Sequence, residues 1–320
     1  MSPTWGLVAT VKAPAEAVLD FAAWHLELGA RRLTIYLDDP EDPVFPLLKA
    51  HPRISAIRCD DQYWRRRSKS GRPDKHQLRQ VLNATHCYTR KNALDWLGHV
   101  DVDEFLLPET TVADALATLP DSCLSARMRP QEVLAPPPGS TATSLIRLRA
   151  FSLPLPQRQA ETARIYPEFG DYLNGGMLSH VAGKLFVRKG LRDVTFKIHR
   201  VVAGEQEDPA QQELPQLPLA HLHAASWEAW RDHFAFRLAR GAYRAELKPA
   251  RPAHTGALNL HGLLSTLDAA EGEAGLHRFF TEVCADTPAL RDRLMREGLL
   301  REAVMDLPAL RRRHFPETSD

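Results

Sequence analysis

From Trp5 to Leu107 short apolar runs alternate with amphipathic segments, and two of the runs end in clustered carboxylates. This alternation restricts the fold more than any other feature. Trp5 to Val11 has the composition of a buried strand, closed by Lys12 and by Pro14, which suits the first turn of a helix. Val18, Phe21, Ala22, His25 and Leu26 follow at helical spacing, with Gly29 as the stop. Leu33 to Leu37 is a second strand and runs into Asp38, Asp39, Pro40, Glu41 and Asp42. A short helical piece at Leu47–Ala50 and a third strand at Arg53–Arg58 come next. The basic stretch Trp64–Lys69 reads as a turn, and Pro73–Lys91 as a helix with Leu78, Val81, Leu82 and Thr85 along one face. Asp95–Leu107 then reads as an apolar strand with its polar residues at the end. Such an order predicts an α/β fold, a Rossmann-like, mostly parallel mixed sheet flanked by helices. Ligands of these sheets bind where the strands' carboxyl ends emerge.

Beyond residue 107 the pattern is less regular. Val112–Leu119 reads as a helix, Ala135–Ser140 as a loop, and Ser144–Phe151 and Lys184–Arg188 as strands. A proline-rich stretch at 207–218 precedes leucine faces at Leu260, Leu263, Leu264 and Leu267 and at Leu290 and Leu294. The expected organisation is a catalytic domain over 1–250 and a helical extension over 251–320. Charged residues interrupt the leucine faces, so they read as helix packing rather than a membrane anchor.

Composition excludes several classes of function. With 320 residues and 44% hydrophobic content the chain can bury a full core. Lys and Arg number 41 against 40 Asp and Glu, so bulk charge gives no case for a nucleic-acid partner or a membrane polycation. Cys59, Cys87, Cys123 and Cys284 form neither a disulfide framework nor close metal-binding pairs, which suits a reducing, cytoplasmic setting. The opening MSPTWGLVATVKAP resembles neither a secretory signal nor a membrane span. Peripheral membrane association and the oligomeric state stay open.

The chemistry concentrates at Asp101-Val102-Asp103-Glu104. In an extended strand Asp101 and Asp103 would share a face, about 7 Å apart along the backbone. Two carboxylates so placed suit a hard divalent cation, which can offset charge building on a phosphate leaving group. The plainer alternative is a wet strand end. His99 would lie on the same face, which keeps a metallohydrolase open. An EF-hand is excluded, because the glycine and terminal glutamate of that loop are absent.

At this point the chain resembles a family. Val8–Lys12, Trp24–Gly29, Thr34–Asp39 and Trp96–Leu106 recur in the order of a bacterial family-2-like GT-A glycosyltransferase, related to the family 92 type. Ala220–Trp230 with Arg240-Gly241 resembles a later family segment. The chain departs from the pattern at Ala13-Pro14, Asp20-Phe21 and Ala225. The resemblance implies transfer of a sugar from a nucleotide-diphosphate sugar, expected to be UDP-linked, to a carbohydrate or glycan acceptor, in a role such as polysaccharide biosynthesis. It implies Mn2+ or Mg2+ at Asp103, with Asp101 helping and His221 as a further ligand; His223 and His199 are contenders. Asp38 or Asp39 would meet the uridine or ribose, and Lys12 the base or diphosphate. Lys184 and Arg188, an even number of residues apart, would bind donor phosphates. Asp171 or Glu168 would be the catalytic base. Arg65, Arg66 and Arg67 would attract an anion or form a solvated loop. The lost positions also admit a degenerate transferase that binds carbohydrate or acts as a scaffold.

Overall fold

The computed structural model describes residues 2–91, 93–137, 144–250 and 258–316. In chain order the elements begin β1 (Trp5–Val11), α1 (Ala15–Glu27), β2 (Arg32–Leu37), α2 (Phe45–Ala50), β3 (Ile54–Arg58), α3 (Asp61–Arg65) and α4 (His76–Thr89). They continue with β4 (Trp96–His99), β5 (Glu104–Leu106), α5 (Val112–Ala117), β6 (Ser125–Met128), β7 (Pro130–Val133), β8 (Leu145–Arg149) and α6 (Leu155–Ile165). Next come β9 (Lys184–Arg188), β10 (Val194–Phe196), β11 (Val201–Ala203), β12 (Gln206–Glu207), β13 (Gln211–Glu213) and β14 (Leu219–His221). The last are α7 (Trp227–Asp232), α8 (Phe234–Arg240), α9 (Leu260–Glu271), α10 (Glu273–Val283), α11 (Pro288–Arg296), β15 (Leu300–Val304) and α12 (Leu307–His314).

These elements form two compact units. The first holds Met1–Arg129, Ala182–Leu219 and Asp306–Asp320; the second holds Pro130–Val181 and Ala220–Met305. Each unit is therefore discontinuous in sequence, and the expected boundary at 250/251 does not divide the chain. The reason lies in where the last elements pack. β15 pairs antiparallel with β8, Leu300 opposite Arg149 through Val304 opposite Leu145. α12 instead packs on α1, where Arg311 reaches Asp20 at 2.8 Å and Glu16 at 2.6 Å, and His314 reaches Glu27 at 2.9 Å.

In the first unit a mixed, mostly parallel sheet runs β13-β6-β9-β4-β1-β2-β3, with β9 antiparallel to β4 and β6. All seven residues of β1 are buried, as a central strand covered on both faces requires. At Gly98 a Cβ would come within 2.6 Å of Leu7 Cδ2 and 3.0 Å of Phe186 Cε1, so any side chain there would force these core neighbours to shift. The register aligns the exits of the strands: Val11 faces Leu37, and Leu37 faces Arg58. Asp38 N–H then donates to Val11 O and Cys59 N–H to Leu37 O. Lys12, Asp38 and Cys59 thus emerge along one edge. β10, β11 and β12 form a separate small antiparallel sheet.

In the second unit β15, β8, β7 and β14 lie side by side. Its core gathers Trp230, Phe279, Phe280, Leu276 and the expected leucines 263, 264, 267, 290 and 294. Packing of this kind accounts for the leucine faces. No helix among the described residues is long and apolar enough to cross a membrane. Of the predicted loop at 135–140, residues 138–140 lie outside the described residues.

Two local expectations are corrected. Asp95–Leu107 is two short strands separated by a turn, not one strand. The buried side of α4 is Arg79, Gln80, Asn83, Ala84, Cys87 and Tyr88, while Leu78 is exposed. Polar side chains turn inward there because each meets a partner across the sheet edge.

Candidate active site

The turn after β4 sets the site. Asp101 N–H donates to Glu104 Oε2 at 2.8 Å, and Glu104 N–H donates to Asp101 O at 3.1 Å. This reciprocal pair reverses the chain, so Asp101 and Asp103 do not share a strand face. Lys184, the first residue of β9, is fully buried and places Nζ 2.6 Å from Asp101 Oδ2 and 3.3 Å from Glu104 Oε2. Burial alone would raise the Asp101 carboxyl, but the Lys184 ammonium overrides it and holds the group well below the usual carboxylate range. Burial likewise pushes Lys184 down, and Asp101 and Glu104 more than restore it. Lys184 is thus the internal counter-ion of the acidic turn, not a free ligand for donor phosphates.

Arg188 is corrected as well. It sits at the other end of β9, roughly 13 Å along the strand, with Nε donating to Cys123 O at 2.9 Å and its guanidinium over the Trp96 ring. Its work is to hold the loop before β6. His99 is fully buried, its Nδ1 paired with Lys197 O at 3.2 Å and its ring edge-on to Phe196. Burial, with Lys184, pushes it down to about 4, so it stays neutral and packed. The shared face that a metallohydrolase would need is absent.

Helix α4 ties the turn to the strand exits. Residues 79, 80 and 83 lie on one helical face. Arg79 grips Asp38 in a fork, Nε to Oδ1 and Nη2 to Oδ2, both 2.7 Å. Gln80 Nε2 donates to Asp101 Oδ1 at 2.5 Å, and Asn83 Nδ2 to Thr10 Oγ1 at 3.0 Å. Sequence periodicity missed these three, since it followed the leucines. The one available signal was a polar triplet at i, i+1 and i+4 within a helix.

Lys12, Asp38, Asp39, Asp60, Gln62 and Arg72 line a cavity of about 600 Å³ at the carboxyl edge of the parallel strands. The expected uridine-side residues are thus brought together, in different states. Asp38 is buried and committed to Arg79 and, at 3.0 Å, Arg72. Asp39 is exposed, with Oδ1 accepting from Glu41 N–H at 3.0 Å. Arg67 faces inward against His86 and Tyr63, so the arginine run is not wholly a solvated loop.

A hard cation asks for carboxylate oxygens. Asp101 spends one oxygen on Gln80 and the other on Lys184, which fixes it within the turn. Asp103, half-buried at the same turn, supplies a carboxylate of the kind such an ion takes.

The remaining candidates other than His199 lie in the second unit. His221 and His223 are buried, with ring centroids 5.3 Å apart, and His180 lies 5.7 Å from His221. His223 Nε2 bonds the Tyr243 hydroxyl at 2.8 Å, which also accepts from Trp230 Nε1 at 3.0 Å. Glu132, unremarked in the sequence, is buried against Arg149 and accepts from Ser179 N–H at 2.8 Å and Ser179 Oγ at 2.6 Å. Burial raises it, but Arg149, His223 and His221 hold it far below the usual range. Glu168 is ion-paired to Arg278 at 2.9 Å at the surface. Asp171 is exposed on the short helix Gly170–Tyr172. His199, in the first unit, pairs Nδ1 with Gly183 O at 2.9 Å.

The sequence between β1 and β7 decides the family likeness. Residues 8–133 match the model of glycosyltransferase family 92. The matched segment carries Lys12, Asp38, Asp39, Arg79, Gln80, Asp101 and Asp103. Lys184, which neutralises the acidic turn, and His221 lie outside it. A search of curated proteins finds no match. Among solved structures the chain is similar to HddC from Yersinia pseudotuberculosis at 11% identity and a TM-score of 0.27, covering 40% of this chain. The aligned region spans 59% of that protein's chain.

Proposed function

We propose that the chain is a metal-dependent glycosyltransferase that moves a sugar from a nucleoside diphosphate sugar, UDP-linked, to a carbohydrate hydroxyl. The observation that carries this is the cavity of about 600 Å³ at the strand exits, lined by Lys12, Asp38, Asp39 and Arg72 and tied through Arg79 and Gln80 to the acidic turn. Its size is that of a small-ligand pocket. Exposed Asp39 can accept from ribose hydroxyls, while Lys12 and Arg72 bring positive charge to phosphate oxygens. Asp103 would hold Mn2+ or Mg2+, whose charge offsets that of the departing diphosphate. Lys184 keeps Asp101 ionised, so the turn retains its shape when an anionic donor approaches. Asp171 remains the proposed acceptor base and His221 a proposed further metal ligand.

Calorimetric titration with UDP, with and without Mn2+, tests the proposal. Binding that requires Mn2+ and is lost in Asp103→Ala supports it. No metal-dependent binding of any nucleoside diphosphate refutes it.

A further inference from the structure

The parallel strands have a second edge. Arg31 and Arg32 lead into β2, Arg53 leads into β3, and Arg90 and Lys91 follow α4. With Thr4 they line a cavity of about 820 Å³ at the amino ends of the strands, opposite the edge that carries Lys12, Asp38 and Cys59. No acidic residue is among its described lining residues.

Two facts separate this cluster from an ordinary wet surface. In the same unit Arg72, Arg79, Arg127 and Arg311 each meet a carboxylate. Among the described residues none of the five cations here does. Arg32 and Arg53 touch only carbonyls, Pro52 O at 3.4 Å and Ala30 O at 3.3 Å, which leaves most of each guanidinium's donors for a ligand. Asp95, next along from Leu94 in the lining, spends Oδ2 on Thr4 N–H at 2.7 Å and Thr4 Oγ1 at 2.8 Å. The carboxyl ends of α1 and α4 point this way, but each contributes only about half a negative charge. Two such ends leave most of the five positive charges uncompensated, in a concavity that concentrates their field.

We propose that this cavity binds a small, multiply charged phosphate-bearing anion. Planar guanidinium forks match phosphate oxygens, and the volume lies in the range of small-ligand sites. The site is distinct from the proposed donor cavity and does not depend on it.

The test is calorimetric titration of inorganic triphosphate in EDTA, and in parallel co-sedimentation with phosphatidylcholine vesicles containing phosphatidylserine. The proteins are wild type, Arg31→Gln/Arg32→Gln/Arg90→Gln, and Asp103→Asn. Wild type and Asp103→Asn should bind triphosphate, more weakly as salt rises. The triple variant should bind about tenfold or more weakly, or about 1.4 kcal/mol. Triphosphate binding without vesicle binding supports a soluble ligand; loss of both in the triple variant supports a lipid headgroup. Vesicle binding without triphosphate binding overturns the cavity. A triple variant that melts lower but binds triphosphate within twofold of wild type also overturns it, since the arginines would then only cap helix ends.

Discussion

Replacing Lys184 by Met removes the ammonium that lies 2.6 Å from Asp101 and 3.3 Å from Glu104 while keeping most of the side chain's volume. With an effective dielectric of about 20, Coulomb's law gives roughly 6 and 5 kcal/mol for the two contacts. Desolvation of the buried ammonium offsets several kcal/mol of this, and breaking a buried pair from one side typically costs about 3–5 kcal/mol. We expect Lys184→Met to lose that amount at pH 7 in urea unfolding. Asp101 and Glu104, left as neighbours without a cation, would then have raised folded-state pKa values. A raised carboxyl contributes stability below its unfolded value and loses it as pH rises through the folded one. The deficit against wild type should therefore shrink when unfolding is repeated at pH 5. A loss below about 1 kcal/mol at pH 7, or one that does not change with pH, would refute the role assigned to Lys184.

Arg79→Lys cannot reproduce the fork on buried Asp38; urea unfolding should show a loss of about 1–3 kcal/mol with weaker UDP binding, and unchanged values would count against the fork. Glu132→Gln strands buried Arg149 without a counter-charge; thermal melts should report a loss of about 3–5 kcal/mol with faster amide exchange at Leu178 and Ser179. His25 and His99 are both fully buried and held down, to about 3 and about 4, chiefly by burial. Unfolded, they titrate near the ordinary value of about 6.5, so their stabilising share is complete above that pH and is lost as pH falls towards 4. Unfolding should take up protons in this window, and a pH-independent stability between 6.5 and 4 would exclude it.

The strand exits were legible because apolar runs and helical spacing are local. Trp5–Val11 and Leu33–Leu37 became β1 and β2, and Lys12, Asp38 and Asp39 fell beside one cavity. The acidic turn was legible as chemistry but not as shape. Two carboxylates in sequence cannot reveal that Glu104 would cap the Asp101 amide, or that a lysine 83 residues away would lie between them. α4 shows the same limit: Leu78 lies outside because Arg79 and Gln80 find partners inside, and partners are a tertiary property. The division of the chain was hidden for a similar reason, since α12 and β15 are neighbours in sequence yet pair with α1 and β8.

Release of UDP from a panel of UDP-sugars in Mn2+, followed for wild type and Asp103→Asn, tests the central claim most directly. At least one sugar should be turned over by wild type, with Mn2+ required and with Asp103→Asn slowed by about a hundredfold or more, some 2.7 kcal/mol in the barrier. Turnover that survives EDTA or Asp103→Asn, or none with any nucleoside diphosphate sugar, would contradict the account.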